Sequence, residues 1–390
     1  MLYNKDDQYG FKSAERRIEK RILNYAEVGG NRMKKNLKRK MAILMTAAVA
    51  WSSLSGSCVY AEENNQVRSF LTGKPVDESI GRQRAIAVMY NNIEAALPQS
   101  GIANADVVYE APVEGGITRL LGILEDYKDV ERIGSVRSCR DYYIYFAREF
   151  DAYYMHFGQA VYAQPLLDRP ETLNIDGLRS GSSAYYRSDD FVAPHNVYTN
   201  YDMIHSTLDR LGYAKEYSEN YLAQDGHYQF AEDGVTVTLE NGADAAVAVP
   251  GYDYNKAYFV YDAETGKYTR YQYGDLQIDK LTNASLEYDN IIFQYCSWQN
   301  YDENGYLNID PLSGGNGKYI TKGKAIDITW KKDAVNTEDP YAAENFDVTH
   351  YYDANGEEIT LNQGKTWVCI IQDTYSDDVQ LYSELAEFVG

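Results

Sequence analysis

The 390-residue chain carries 37 Lys and Arg against 58 Asp and Glu, a formal net charge of −21. This balance argues against a general nucleic-acid-binding surface, which needs an excess of basic residues facing the phosphates. A chain of this length is expected to form about two domains. The charge is uneven, because residues 1–61 hold 12 of the basic residues and only 5 of the acidic ones.

Residues 33–61 have the features of a secretory signal peptide. The basic run Met33–Lys40 precedes the apolar run Met41–Trp51, which is short for a bilayer span, and small residues follow up to Ala61. This order of basic, apolar and small residues is typical of a cleaved signal. The mature protein is therefore expected outside the cytoplasm, either secreted or anchored to the outer face of the membrane.

Cys58 offers a lipidation site as an alternative to simple cleavage, although Leu54 lies one position too far from it for the usual lipobox. Residues 1–32 precede the signal and are interpreted as a mis-called start, with a disordered leader as the alternative. Residues 62–83 are polar and are predicted to be a tether.

Residues 84–225 mix strand and helix patterns, which predicts an α/β or α+β domain with a mixed sheet. Gly115-Gly116 between two apolar runs indicates a hairpin. The predicted strands are 84–92, 105–110, 117–124, 132–136 and 151–157. The predicted helices are 138–150, 160–167 and 201–211.

Residues 226–390 read as a mainly antiparallel all-β domain. Its predicted strands are 235–239, 257–261, 267–271, 290–295, 325–330 and 366–371. Asp302–Gly305 and Asp353–Gly356 are predicted to be hairpin turns, in which Asn and Gly supply positive φ angles. As calcium loops they would need more alternating carboxylates and a closing glutamate, which they lack.

The three cysteines beyond the signal, Cys139, Cys296 and Cys369, are too few for a disulfide scaffold. Cys296 and Cys369 lie in strand-like stretches and are predicted to be buried and free, with one bridge between them as the alternative. No spacing fits a zinc site, and no cofactor is expected.

The stretch Gly134–Arg148 is unusual because it places Arg137 and Arg140 at the opening of a predicted helix in an acidic chain. Ser138 and Asp141 fit a capping box there. A cation at a helix N-terminus opposes the macrodipole, so an anion is expected beside the two arginines. That anion is either a bound phosphate or carboxylate, which free N–H groups at a helix start would also favour, or a carboxylate of the protein.

Several other residues are candidates for the same site, because ligand sites form where the strands of an α/β sheet end. Arg119 follows the Gly pair, and His156 ends the strand after the helix. Further candidate ligand-binding residues in loops are Arg187, His195 and Asn196. The carboxylates that could neutralise the arginines in an ion network are Glu110, Glu114 and Asp141.

A family resemblance accompanies these motifs. It rests on Ile86–Asn92, Pro98–Gly101, Ala105–Glu110, Glu114–Arg119, Gly134–Asp141, Ala193–Thr199, Gly323–Lys332 and Asn355–Leu361. These segments resemble the YerB-type family of bacterial envelope lipoproteins over residues 84–372. The resemblance implies an extracytoplasmic, often lipid-anchored protein with a two-part domain of unknown function. The spacing between Leu54 and Cys58 departs from the lipobox expected in such lipoproteins.

Three classes of function follow. The first is a module that binds an anionic envelope component. The second is a metal-assisted phosphotransferase, because the order of Asp106, Arg119, Arg137 and Arg140 is similar to that of LytR–CpsA–Psr proteins. On that analogy the arginines would hold phosphates, and Asp106 or Asp141 would hold Mg²⁺.

The third class is a non-enzymatic lipoprotein that docks an envelope protein through its Tyr-rich β domain, with the arginines in structural roles. A nucleophilic Cys139 assisted by His156 is a further enzymatic hypothesis, since neighbouring arginines and a helix start would lower the pKa of the thiol.

Overall fold

The structure, a computed structural model, describes residues 65–180, 183–224, 226–333 and 345–389. The predicted leader, the signal peptide and Cys58 lie outside these ranges. Within them, no helix is long and apolar enough to cross a membrane.

The predicted tether is wrong for residues 65–83, which are folded. β1 (Gln66–Arg68) and β2 (Pro75–Asp77) pair as an antiparallel hairpin, and α1 (Glu78–Gly81) follows. The Asp77 carboxylate caps α1 by accepting a hydrogen bond from the Ser79 N–H at 2.8 Å. Leu71 between the strands is fully buried in the core, so one apolar side chain anchors a segment whose composition is otherwise polar.

The N-terminal region contains a mixture of strands and short helices. Its strands are β3 (Ile86–Asn91), β4 (Val107–Pro112), β5 (Thr118–Leu124), β6 (Ile133–Gly134), β7 (Tyr153–His156), β8 (Asn174–Asp176), β9 (Tyr186–Arg187) and β10 (Val197–Thr199). Its α-helices are α2 (Asp141–Arg148), α3 (Gln164–Leu167), α4 (Gly177–Ser180), α5 (Tyr201–Leu211) and α6 (Glu219–Leu222). Short 3₁₀ turns occupy Glu94–Ala96, Ile102–Asn104, Glu114–Gly116 and Val161–Ala163.

The regular secondary structure of the C-terminal region consists almost entirely of strands. It contains β11 (Ala243–Asp244), β12 (Val247–Val249), β13 (Tyr258–Asp262), β14 (Lys267–Gln272), β15 (Asp275–Leu276), β16 (Glu287–Tyr288), β17 (Asn290–Cys296), β18 (Trp298–Asn300), β19 (Leu307–Ile309), β20 (Gly315–Thr321), β21 (Lys324–Lys332), β22 (Thr349–Tyr352), β23 (Thr366–Gln372) and β24 (Gln380–Tyr382). A 3₁₀ turn at Asp373–Asp378 and the helix α7 (Leu385–Val389) complete it.

The predicted fold class is confirmed, and one large sheet runs through both regions. Its strand order is β11-β21-β20-β17-β23-β4-β5-β3-β7-β8, with β22 paired to β21. The N-terminal and C-terminal regions are joined in this sheet by the parallel pair β23–β4, in register from Thr366↔Val107 to Cys369↔Glu110. A second, six-stranded sheet has the order β15-β14-β13-β12-β24, with β16 paired to β14.

Both faces of the large sheet are covered at β3, β4 and β5, which explains why these strands are unbroken apolar runs. Every residue of β3, β4 and β5 is buried. Successive side chains alternate between two core clusters, so that Met89 packs on one face while Val88 and Tyr90 pack on the other.

The predicted strand at 235–239 is wrong, because this segment forms no ladder. Instead the side chain of Asn362 satisfies the backbone of Val237: its Oδ1 accepts from the Val237 N–H and its Nδ2 donates to the Val237 carbonyl, both at 2.8 Å. The turns at Asp302–Gly305 and Asp353–Gly356 are confirmed, but only the glycines supply positive φ, 78° at Gly305 and 81° at Gly356. Asn304 and Asn355 instead donate hydrogen bonds to the carboxylates of Asp302 and Asp353, both at 3.1 Å. Cys139, Cys296 and Cys369 are free and buried, as predicted for the last two.

Candidate functional site

The segment before α2 lies between the carboxyl ends of two parallel strands. β3 and β7 pair only from Ile86↔Tyr153 to Val88↔Met155. Beyond that point the Arg137 N–H donates to the Met89 carbonyl at 2.8 Å, and the Phe157 N–H donates to the Arg137 carbonyl at 3.0 Å. Arg137 is therefore inserted where the strands diverge, at the edge of the sheet where ligand sites form in α/β folds.

Arg119 lies at the same edge because of its register in β5. It pairs with Asn91 at the end of β3 and with Ala111 near the end of β4. Its side chain is 6% exposed, and its Nη1 donates to the Ser138 carbonyl at 2.6 Å. This hydrogen bond joins β5 to the segment that carries Arg137.

Arg119 and Arg137 carry charges that no carboxylate neutralises directly. Burial, followed by the positive charges of Arg140 and Arg137, lowers the pKa of Arg119 to about 10. Burial and then Arg140 also lower the pKa of Arg137. In the part of the chain that the structure describes, neither arginine forms a salt bridge, and the buried Nε of Arg137 has no hydrogen-bond partner.

Arg140 differs, because Glu114 neutralises it. The Arg140 Nε donates to both carboxylate oxygens of Glu114, at 2.7 and 3.0 Å, and its Nη2 donates to the same carboxylate. Burial opposes the charge on Arg140, but the hydrogen bonds and charge of Glu114 raise its pKa. Burial likewise opposes the charge on Glu114, but Arg140 lowers the pKa of that carboxyl. Among the described residues, Arg140 thus forms a salt bridge with one of the predicted carboxylates, and Arg119 and Arg137 form none.

His195 borders the cluster. The Arg137 Nη1 donates to the carbonyl of Pro194 at 3.2 Å, and the His195 Nδ1 contacts the Asn91 Nδ2 at 2.8 Å. Burial and then the charge of Arg137 lower the pKa of His195, which favours the neutral ring. We define the arginine cluster as Arg119, Arg137 and Arg140, with His195 at its border.

Arg187 and Asn196 form a separate contact. The Arg187 Nη1 donates to the Asn196 Oδ1 at 2.7 Å, and the guanidinium lies over the Phe157 ring, 5.3 Å from its centroid. Across the described ranges, no hydrogen bond or ion pair connects these two residues with Arg119, Arg137 or Arg140. Their predicted ligand role therefore stays a prediction.

The predicted ligand role of His156 is wrong, because its ring is fully buried. Its Nδ1 contacts the Gly158 carbonyl at 3.0 Å, and its Nε2 contacts the Asn174 Oδ1 at 3.3 Å. The Cys139 hypothesis fails as well, since burial raises the pKa of the thiol. The Cys139 Sγ donates to the Arg140 carbonyl at 3.1 Å, so this cysteine has a structural role in the core.

The predicted capping box is also wrong. α2 begins at Asp141, so Arg140 occupies the N-cap position, without a side-chain cap hydrogen bond. The Ser138 hydroxyl donates to the Phe157 carbonyl at 3.1 Å, and the Cys139 N–H donates to Gly158. Pairing of this segment with the end of β7 extends the backbone through Cys139 and delays the helix.

On the phosphotransferase analogy Asp106 or Asp141 would hold Mg²⁺, but neither belongs to a metal-binding group in the described part of the chain. The Asp106 N–H donates to the Ile123 carbonyl at 2.8 Å, at the opposite end of β4 from the partner of Arg119, a span of about 16 Å at ~3.3 Å per residue. The Asp141 carboxylate accepts from the Tyr301 hydroxyl. Among the described residues, no group of three or more His, Cys, Asp or Glu side chains is placed to hold a metal ion.

Two contacts from the C-terminal region were not foreseen. Glu110 pairs with Arg270 rather than with the arginine cluster, at 2.6 Å between Oε2 and Nη2. The ring of Tyr306 lies 5.9 Å from the Arg140 guanidinium. Neither residue has a local signal in the sequence, because each contact depends on how the two regions share the sheet.

Comparison with known proteins identifies both regions. A family described as a protein of unknown function (DUF3048) matches with its N-terminal domain at residues 71–214 and with its C-terminal domain at residues 245–368. The chain is 30% identical over 309 residues to a Bacillus subtilis protein named "Putative lipoprotein YerB", covering 79% of this chain and 87% of that protein.

A crystal structure of YerB from Bacillus subtilis resembles this fold with a TM-score of 0.69 and 28% sequence identity. The match covers 81% of this chain and 99% of the solved one. Sequence and structure therefore agree on the same two-part architecture, and the chain belongs to the YerB family of proteins of unknown function.

Proposed function

We propose that this protein is an extracytoplasmic component of the cell envelope that binds an anionic ligand, bearing phosphate or carboxylate groups, at Arg119 and Arg137. The observation that carries the proposal is a pair of guanidinium groups without a carboxylate partner among the described residues, in a chain of net charge −21. Arg119 is buried and Arg137 is half-buried, and a charge removed from water is normally paired, because an isolated buried charge is costly. A ligand anion would supply the missing partner.

The location of the cluster supports the same conclusion. It lies at the carboxyl edge of a mixed sheet, beside the diverging ends of β3 and β7. Arg140 is already satisfied by Glu114, which leaves Arg119 and Arg137 to hold the ligand. The cellular location rests on the signal-like residues 33–61 and on the lipoprotein name of the relative.

The metal-assisted phosphotransferase has weaker support, because Asp106 lies at the far end of β4. A pure interaction protein would need no ligand anion at all. These three functions make different predictions for phosphate binding, so one set of measurements separates them.

We expect inorganic pyrophosphate to raise the Tm of the protein more than chloride does at equal ionic strength. In Arg137→Ala the apparent affinity should fall about 10- to 100-fold, since a hydrogen bond to a charged group contributes ~1.5–3 kcal/mol. Differential scanning fluorimetry over a pyrophosphate titration measures this. Arg119 is less suitable for substitution, because its hydrogen bond to Ser138 also stabilises the fold.

Arg179→Ala is the matched control. Arg179 is an exposed arginine paired with Asp168, and its loss should leave the pyrophosphate response unchanged. Equal responses in the parent and in Arg137→Ala would contradict the proposed site. A normal fold with no anion response would favour the interaction protein, and a response that requires Mg²⁺ would favour the phosphotransferase.

A further inference from the structure

A second candidate site is an open cavity of about 460 Å³ beside the first turns of α2. Three elements form its walls: the first turns of α2, the β18–β19 ribbon, and the loop that follows β19. Its lining residues are Asp141, Tyr145, Ser297, Trp298, Gln299, Tyr301, Asn308, Ile309, Asp310, Pro311 and Leu312. It shares no residue with the arginine cluster.

The local geometry explains how these side chains meet. Asp141 and Tyr145 are four residues apart on α2, so they occupy one face of the helix. Gln299 pairs directly with Asn308 across the antiparallel ribbon, which places their side chains on the same face. The volume is within the range of small-ligand sites, about 300–1,000 Å³.

Several polar side chains of the cavity have hydrogen-bonding capacity that the protein does not use. Among the described residues, no hydrogen bond of the side chains of Ser297, Gln299 or Asn308 is observed. Asp310 uses only its Oδ1, which accepts from the N–H groups of Leu312 at 2.8 Å and Ser313 at 3.1 Å. The cavity thus offers hydroxyl and amide donors and amide and carboxylate acceptors to a ligand.

Aromatic rings accompany these polar groups. Tyr301 is 37% exposed and stacks on Tyr162, with the ring centroids 4.1 Å apart. Trp298 contacts Tyr375, which is 46% exposed, with the centroids 5.9 Å apart. Exposed aromatic rings therefore flank the cavity, and each presents a flat apolar surface beside polar groups.

We propose that this cavity binds a neutral, hydroxyl-rich ligand, a segment of a glycan chain. No Lys or Arg lines it, which disfavours an anionic ligand. An apolar ligand would bury the amides and Asp310 without partners, at a cost in free energy. A sugar ring matches both features, because its hydroxyls pair with the amide and carboxylate groups while its C–H face packs on Tyr or Trp.

The test is isothermal titration calorimetry with two neutral probes, tetra-N-acetylchitotetraose and cellotetraose. At least one should bind the parent protein. The double variant Gln299→Ala/Asn308→Ala should bind it at least fivefold more weakly, since two hydrogen bonds are lost. Asp310→Asn, which keeps the turn to Leu312 and Ser313, should also weaken binding.

Asn300→Ala is the matched control, because Asn300 belongs to the same ribbon but does not line the cavity. It should bind the probe like the parent. Arg137→Ala should also bind the probe like the parent, so a failure of the glycan proposal is distinguishable from a failure of the anion-binding proposal. Binding of neither probe, or equal binding by the double variant, would overturn the proposal. A third, cationic probe, the glucosamine tetramer, tests the remaining alternative: if it alone binds, and salt abolishes its binding, the cavity holds a cation and the proposal is overturned.

Discussion

Replacing Arg270 with Met is expected to lower the free energy of unfolding by about 3–5 kcal/mol, because it leaves Glu110 as a buried carboxylate without its counter-charge. Both side chains are fully buried, and Oε2 and Nη2 are 2.6 Å apart. Glu110 lies on β4 in the N-terminal region and Arg270 on β14 in the C-terminal region. The pair therefore links the large sheet to the second sheet.

The surroundings of the pair make relaxation difficult. The Glu110 Oε1 accepts from the Thr118 hydroxyl at 2.7 Å and from the Asn255 Nδ2 at 2.8 Å. The Arg270 guanidinium lies 4.4 Å from the centroid of the Trp367 ring. A methionine fills part of this volume, but it donates no hydrogen bond, so the acceptors of Glu110 remain only partly satisfied.

Urea unfolding monitored by circular dichroism measures this loss. The double variant Glu110→Gln/Arg270→Met should recover part of it, because no unpaired charge remains, and the cycle of variants isolates the coupling energy. Arg179→Met, at an exposed ion pair, should change stability by less than about 1 kcal/mol. A loss below that level for Arg270→Met would show that the pair contributes little.

Replacing Glu125 with Gln is expected to stabilise the protein by about 4 kcal/mol near pH 7.5 and by little near pH 4.5. Glu125 is 3% exposed, and its Oε1 is buried without a hydrogen-bond partner. Burial raises the pKa of this carboxyl from 4.5 to about 8, with further contributions from Asp106 and Asp126.

The direction follows from proton linkage. The folded protein retains a proton on Glu125 that the unfolded chain releases once the pH exceeds 4.5, so unfolding becomes more favourable as the pH rises towards 8. Glutamine keeps the neutral shape of the protonated acid and removes this dependence. Its stabilising effect should therefore grow between pH 4.5 and 8 and then level off.

Chemical unfolding of the parent and of Glu125→Gln at several pH values checks this. Glu78→Gln is a suitable control, because Glu78 is an exposed carboxylate in the first turn of α1, and the difference from the parent should vary little over the same range. A constant difference between Glu125→Gln and the parent from pH 4.5 to 8 would contradict a protonated Glu125 in the folded state.

The candidate site contains some of the residues predicted from the sequence and excludes others. Arg119, Arg137 and Arg140 were grouped because two of them precede a helix and one follows a Gly pair, and the register of β5 and the divergence of β3 and β7 do bring them together. The prediction of His156 rests on its position at the end of the strand after the helix, and that of Asp106 on an order of residues similar to LytR–CpsA–Psr proteins. The ring of His156 is buried in the core. Asp106 lies at the start of β4, whereas the arginine cluster lies near the end of that strand.

The sequence by itself determined most local elements of this protein, with the hairpin of β1 and β2 and the segment 235–239 as exceptions. Apolar runs such as Ile86–Asn91 and Thr366–Gln372 form strands wherever they pair, and Asn200 and Gly212 start and end α5 through their own backbone and side-chain chemistry. Only the tertiary structure decided that β23 pairs with β4, that Glu110 meets Arg270, and that Glu114 neutralises Arg140 but not Arg119 or Arg137. The first two contacts join residues more than a hundred positions apart, and which carboxylate reaches which arginine depends on strand register. Long-range pairing and strand register of this kind produce no periodic pattern of residues from which they could be predicted.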